Sequence, residues 1–278
     1  MRPQAVLLLL ALGVISLALA WAASRLRPTL APSPERPEIA DAGVSPDARV
    51  AVEEVRLGEQ GEIVAAPSRD AYACLQPRLD ITEDAACARG EPYPACRWEL
   101  PSEEASGGLY RVWRNTTPEH RWARPGLVSL VLAAAREYAE RWPGEQLTIG
   151  DLDAPGPRHQ THDRGVDVDL YLPHAMLDRN EEGRAPFDNY QGLSRAQIRL
   201  HRDRVMDLGK LLATCSQGRL RLYYADRPLV EAFRAWFTEQ GLVSDVSPQA
   251  MQMHNALHRF HYHMTVADDL APLPLITQ

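Results

Sequence analysis

Six of the nine histidines fall in two short stretches, His159 and His162 in one, and His254, His258, His261 and His263 in the other. Clustered imidazoles invite a metal-centred reading, because zinc accepts imidazole nitrogen and carboxylate oxygen at about 2.0–2.2 Å, commonly from three protein ligands in a catalytic site. The first stretch runs RHQTHDRGVDVD from Arg158 to Asp169. A histidine on the loop and a carboxylate on the following strand reach one ion if the chain turns between them, and Gly165 supplies a residue for that turn. Asp167 and Asp169 project to the same side of the strand, so chemistry alone leaves open which one is the ligand. In the second stretch, HRFHYH, positions two apart in a strand face the same way, so His261 and His263 can look into one site while Tyr262 faces away. His258 has the wrong parity and reaches the site only if the chain bends before His261. Neither stretch has the helical H-E-x-x-H pattern, which excludes that zinc-peptidase arrangement. His254 reads as incidental, and His120, His174 and His201 as surface residues.

The elements that must position these groups are a mixture of helices and strands. Val166 to Leu172 (VDVDLYL) alternates with period two, as a half-buried strand does. His258 to Val266, Arg219 to Tyr224, Leu147 to Leu152 and Leu109 to Trp113 also read as strands. Pro125 opens a helix with apolar residues at helical spacing until Trp142-Pro143-Gly144. Ser194 and Gln197 form a capping box for a second helix that carries Ile198, Val205, Leu208 and Leu212. Asp226-Arg-Pro228 starts a third, Leu229 to Gln240, closed by Gly241. The elements do not alternate regularly, so the fold class is α+β. The expected architecture is one domain, residues 71–270, with a central antiparallel sheet flanked by helices.

Before that domain lie two segments of different character. Residues 5–23 form an almost unbroken apolar run behind Arg2, and Ala18-Leu19-Ala20 has the small-x-small form of a signal cleavage site. The run is also nearly long enough to span a bilayer. Residues 1–23 are thus read as a cleaved signal peptide or an anchor that tethers the chain to the inner membrane, and the remainder as exported to the periplasm. Residues 24–70, rich in Pro, Ala, Glu and Arg, read as a disordered tether. Within them, Ala51 to Val64 has the makings of a short strand or helix. The four cysteines, Cys74, Cys87, Cys96 and Cys215, suit an oxidising compartment and allow three pairings, among which the sequence does not choose. Net charge is −7, and Lys210 is the single lysine among 30 basic residues. Arginines interspersed with acids make no basic stripe, which argues against a nucleic-acid partner.

His-x(6)-Asp followed far downstream by His-x-His resembles the signature of the zinc peptidases grouped with lysostaphin, the D-alanyl-D-alanine carboxypeptidases and the hedgehog amino-terminal domain. Within that group the chain looks most like the penicillin-insensitive murein endopeptidases, on RHQTHDRGVDVDLYL (Arg158 to Leu172) and HRFHYH (His258 to His263). The paired pattern His-x-x-His-x(6)-Asp and His-x-x-His-x-His is met in full. The resemblance covers about residues 109–266, the expected catalytic core. It does not extend to the Pro-rich tether and the tight cysteine group, so it implies no disulfide pairing.

Carried over residue by residue, the resemblance makes His162, Asp169 and His263 ligands of Zn2+. It makes His261 an imidazole facing the oxyanion, His258 the base, and His159 and Asp167 supporting residues. The implied activity is hydrolysis of the peptide cross-link of peptidoglycan, commonly between D-alanine and meso-diaminopimelate, with stem peptides as the partner. A zinc D,D-carboxypeptidase that trims terminal D-alanine, and a non-catalytic wall-binding protein on the same scaffold, are the alternatives.

Overall fold

The computed structural model describes residues 72–153, 161–171, 194–255, 258 and 261–277. The expectations for residues 1–23 and 24–70, and for His159, Leu172 and His174, lie outside these. Among the described residues no helix is long and apolar enough to cross a membrane.

Four α-helices occur among the described residues: α1 (Ala85–Ala88), α2 (Pro125–Arg141), α3 (Arg195–Cys215) and α4 (Arg227–Glu239). Their starts follow the sequence signals. Pro125 and Pro228 occupy the first turns of α2 and α4, where no intrahelical N–H is needed. In α3 both halves of the capping box form, Ser194 Oγ accepting from Gln197 N and Gln197 Oε1 from Ser194 N. Most of α2 is buried, from Gly126 to Tyr138 with few gaps, so it behaves as a core helix.

The strands are β1 (Trp98–Glu99), β2 (Arg111–Val112), β3 (Trp122–Ala123), β4 (Thr148–Ile149), β5 (Asp167–Tyr171), β6 (Leu220–Tyr224), β7 (Met251–Met253) and β8 (His261–Val266). β1 and β3 form a small antiparallel pair of their own. The main sheet has the order β2-β4-β5-β8-β6-β7. Its four central strands are mutually antiparallel, as expected, but both edges are parallel pairs, β2 with β4 and β6 with β7. The expected antiparallel sheet is therefore a mixed one. The cause lies in the connections: α2 intervenes between β2 and β4, and α4 between β6 and β7, and a crossover through a helix returns the chain in the same direction.

Period-two alternation separates the two faces of the sheet. Val168, Leu170, Leu220, Leu222, Tyr224, Tyr262, Met264 and Val266 belong to the buried core together with Val205, Leu208, Leu212 and Phe233 of the helices. Tyr262 donates from its hydroxyl to Val205 O at 2.8 Å, which ties β8 to α3 across that core. His201, expected on the surface, is fully buried beside Tyr224, its Nε2 3.0 Å from the phenol oxygen. The opposite face carries Asp167, Asp169, Tyr171, His261, His263 and Tyr223.

Both ends of the described chain are woven into this domain. Tyr72 donates to Asp207 Oδ1, and Ala73 N and Cys74 N donate to Glu137 Oε1. Beyond residue 270 the chain still pairs, with Gln76 N donating to Pro274 O at 2.9 Å and Ile276 N to Gln76 O at 3.0 Å. Two disulfides form, Cys74–Cys215 and Cys87–Cys96. They fit an oxidising extracellular or periplasmic compartment.

The bridges enclose very different lengths of chain, 141 residues against 9. In the chain-entropy picture, removing Cys74–Cys215 costs up to about 5 kcal/mol and removing Cys87–Cys96 roughly half that. Urea unfolding of the two paired Cys→Ala variants should show the larger loss for Cys74/Cys215. Equal losses would contradict a global staple between the start of the domain and α3.

Candidate metal centre

Register places the central groups. In the pairing of β5 with β8, Asp169 is directly opposite His263, Asp167 opposite Thr265 and Tyr171 opposite His261. On the other side of β8, Tyr223 of β6 is opposite His263 and Arg221 opposite Thr265. One face thus carries three successive rows of polar and aromatic side chains.

His162 arrives from the loop before β5. That loop turns at Gly165, whose φ of 64° lies in the left-handed region. A Cβ there would sit 2.5 Å from Tyr93 Cε2 and 3.1 Å from Arg124 N, so glycine is required for both conformation and space. Arg124 N donates to Gly165 O at 3.0 Å and Arg124 Nε to Arg164 O at 2.9 Å, which pins the turn to the start of α2. At Gly150 the chain following β4 also approaches the site strand, since a Cβ would lie 2.9 Å from Tyr171 Cε2 and 3.0 Å from Asp169 Cβ.

Three donor atoms then converge. His162 Nε2 lies 3.2 Å from His263 Nδ1, His263 Nδ1 lies 3.1 Å from Asp169 Oδ1, and His162 Nε2 lies 3.7 Å from Asp169 Oδ1. All three residues are buried. Ligands about 2.0–2.1 Å from a tetrahedral zinc stand about 3.3–3.4 Å apart, and the observed triangle brackets that edge. The outer nitrogens strengthen the case. His162 Nδ1 is 3.1 Å from Leu152 O, a carbonyl that can only accept, so Nδ1 carries the hydrogen and Nε2 presents a lone pair inward. His263 Nε2 faces Asp167 Oδ1 at 3.4 Å, which leaves Nδ1 as the inward atom. A hydrogen on His263 Nδ1 can be shared with Asp169 Oδ1 and His162 Nε2, and a cation among the three atoms would take its place. The group could hold a metal ion.

Asp167 and Asp169 are now told apart. Asp169 belongs to the donor triangle, whereas Asp167 stands behind His263. Thr265 donates from Oγ1 to Asp167 Oδ1 at 2.6 Å, and Arg221 Nη2 donates to Thr265 Oγ1 at 2.9 Å. The Arg221 guanidinium lies over the Tyr223 ring at 4.6 Å. This chain from Arg221 through Thr265 and Asp167 orients the His263 imidazole, which is the usual work of groups behind a metal ligand.

His261 and His258 flank the triangle. His261 is buried, with Nε2 3.7 Å from Asp169 Oδ1 and its ring 5.0 Å from Tyr171. His258 precedes β8, and its ring lies beside the site despite its parity. Its ring centroid is 4.9 Å from that of His261 and 6.0 Å from that of His263. His254, read as incidental, belongs to the same neighbourhood, with Nδ1 2.8 Å from His258 Nδ1 and its ring stacked on Tyr223 at 4.5 Å. His120, read as a lone surface residue, is partly buried, with Nδ1 3.6 Å from Oδ1 of buried Asp151. Trp113 stacks on Tyr171 at 4.4 Å and extends the aromatic wall beside His261. No spacing rule pointed to Trp113, Tyr223, Arg221 or Thr265. The parity of Arg221 and Tyr223 within β6 was the signal available, and it needs the β6–β8 register to become meaningful.

Charge follows from this crowding. Burial alone would push the Asp169 carboxyl up, but the imidazoles of His261, His162 and His263 outweigh it and hold the group well below the usual carboxylate range. Burial also works against a charged His263, yet the Asp167 and Asp169 carboxylates raise it from 6.5 to about 9. His258 is pushed down to about 3 by burial and by the imidazoles of His261, His254 and His263. Comparison with protein-family models and with curated proteins finds no match for this chain.

In the metal-free protein His263 holds a proton that a metal ion must displace. Because its pKa is raised on folding, its contribution to metal-free stability is fully present below pH 6.5 and is lost as pH rises towards about 9. Asp169, lowered on folding, contributes above the ordinary carboxylate range and loses that contribution on acidification. The melting temperature of chelator-treated protein should therefore fall from pH 6.5 to 9, and His263→Gln should flatten that fall. Calorimetric zinc titrations in buffers of different ionisation enthalpy should show about one proton released per ion near pH 7. A flat profile, or no proton release, would contradict the assignment.

Proposed function

We propose that this protein is a zinc-dependent endopeptidase that hydrolyses peptide cross-links of bacterial peptidoglycan, of the D-alanine–meso-diaminopimelate type. The observation that carries the proposal is the convergence of His162, Asp169 and His263 with His261 and His258 beside them. These are the positions that the paired histidine motifs single out by resemblance. Two imidazoles and one carboxylate, with no thiolate, form a donor set that suits zinc. Zinc supplies Lewis-acid polarisation of a carbonyl and acidifies water into the neutral range.

The remaining work belongs to the side chains. His261 stands beside Asp169 and offers an N–H to the oxyanion that develops on the scissile carbonyl, a donor worth about 3 kcal/mol. His258 takes the proton of the attacking water and returns it to the leaving amine. Asp167 holds the His263 ring in place, and the aromatic wall of Tyr171 and Trp113 gives a stem peptide a surface to lie against. No serine nucleophile motif takes part, so β-lactams, which acylate serine, have no target here. The disulfides agree with the periplasm as the place of action.

Purified peptidoglycan incubated with the zinc-loaded protein should release cross-link cleavage products, identified by mass, and a chelator should stop the release. His162→Ala, Asp169→Ala and His263→Ala should each lose zinc and activity together. His261→Ala should keep the metal and lose rate by roughly 10²- to 10³-fold. Release of terminal D-alanine alone from linear pentapeptide would replace the endopeptidase with a carboxypeptidase. Zinc binding without any hydrolysis of sacculi would leave a binding protein.

A further inference from the structure

The ring of His258 is gripped from one edge. Its Nδ1 lies 2.8 Å from His254 Nδ1 and 3.1 Å from Asn255 Oδ1. Backbone hydrogen bonds hold His254, Asn255 and His258 as well. His254 N donates to Tyr224 O and Ala225 N to His258 O, each at 3.1 Å, while His258 N donates to Asn255 O at 3.1 Å. The His254 ring is itself stacked on Tyr223, the residue opposite His263 in the sheet. Neither His254 nor Asn255 belongs to the donor triangle or to the paired histidine motifs.

The identity of the neighbours decides where the hydrogen of His258 sits. A carboxamide oxygen can only accept, so the contact with Asn255 Oδ1 requires an N–H on His258 Nδ1. His254 Nδ1 then serves as a second acceptor for the same hydrogen. Its 2.8 Å separation suits a hydrogen bond. Two nitrogens sharing one zinc would stand about 3.3 Å apart, so the pair is not read as a second metal site. A neutral imidazole has one N–H, and with that hydrogen on Nδ1 the other nitrogen keeps its lone pair.

We infer that His254 and Asn255 are positioning residues that hold the N–H of His258 on Nδ1 and so keep Nε2 as a proton acceptor. The inference rests on the role proposed above for His258 as the base. It supplies what that role lacks in the two motifs, namely a partner that selects the tautomer. His254 acts only through His258, and the stacking on Tyr223 sets the angle at which it does so.

The test uses the zinc-loaded full chain with 15N-labelled histidine. Long-range proton–nitrogen spectra report which imidazole nitrogen carries hydrogen, and the His258 signals are identified by their absence in His258→Gln. Wild type should show His258 as the Nδ1–H tautomer. His254→Phe combined with Asn255→Leu keeps a ring to stack on Tyr223 but removes both acceptors. It should shift His258 towards Nε2–H and lower kcat for cross-link hydrolysis roughly 10- to 100-fold, with KM and zinc content unchanged. Exchanging Phe for Gln at position 254 in that variant returns an acceptor and should recover most of both effects. Wild-type His258 carrying its hydrogen on Nε2, or a double variant with unaltered tautomer, would overturn the inference. Should His258→Ala retain full rate while the tautomer behaves as stated, the base role falls and the tautomer assignment stands.

Discussion

Antiparallel pairing of β5 with β8 sets the carboxyl of Asp169 directly across from the imidazole of His263, and the rest of the site depends on that register. A slip of one residue would turn Asp169 and His263 into the apolar core and bring Val168 and Met264 to the polar face. Several contacts resist the slip. Val168, Leu170, Tyr262 and Met264 are fully buried on the core side, and Thr265 bonds Asp167 on the site side. Val266 N donates to Val166 O at 2.9 Å, which closes the end of the pair nearest the His162 loop.

Burying this many ionisable groups in one patch is costly in isolation. Asp167, Asp169, His162, His261 and His263 are all buried, and a buried charge is tolerated only when paired and hydrogen-bonded. Without a metal, a proton on His263 offsets part of the charge of Asp167 and Asp169. A divalent ion among the three inward atoms would do the same with greater charge and a defined geometry. The groups behind the triangle, Leu152 O and Asp167, fix which nitrogen of each ring faces inward.

Much of this was readable in the residues. Period-two alternation in VDVDLYL and the parity of His261 and His263 identified the site face of both strands, and α2, α3 and α4 start where Pro125, Ser194 and Pro228 placed them. What escaped the sequence depended on which strands are neighbours. The choice between Asp167 and Asp169 required knowing that residue 263 pairs with 169 and not 167. The parallel edges came from crossovers whose direction no local pattern encodes. Tyr223 and Arg221 looked like ordinary strand residues until β6 was found beside β8, and β7 is too short to announce itself. The disulfide pairing joins cysteines 141 residues apart, a distance over which spacing carries no information.

The central claim is that one ion sits among His162, Asp169 and His263. Zinc-edge anomalous diffraction, with X-ray absorption on the same reconstituted protein, tests it most directly. A single anomalous peak should lie between these three side chains, with nitrogen and oxygen neighbours at about 2.0–2.2 Å and no sulfur. A peak elsewhere, or a zinc-saturated crystal with the rings of His162 and His263 turned away from Asp169, would contradict it.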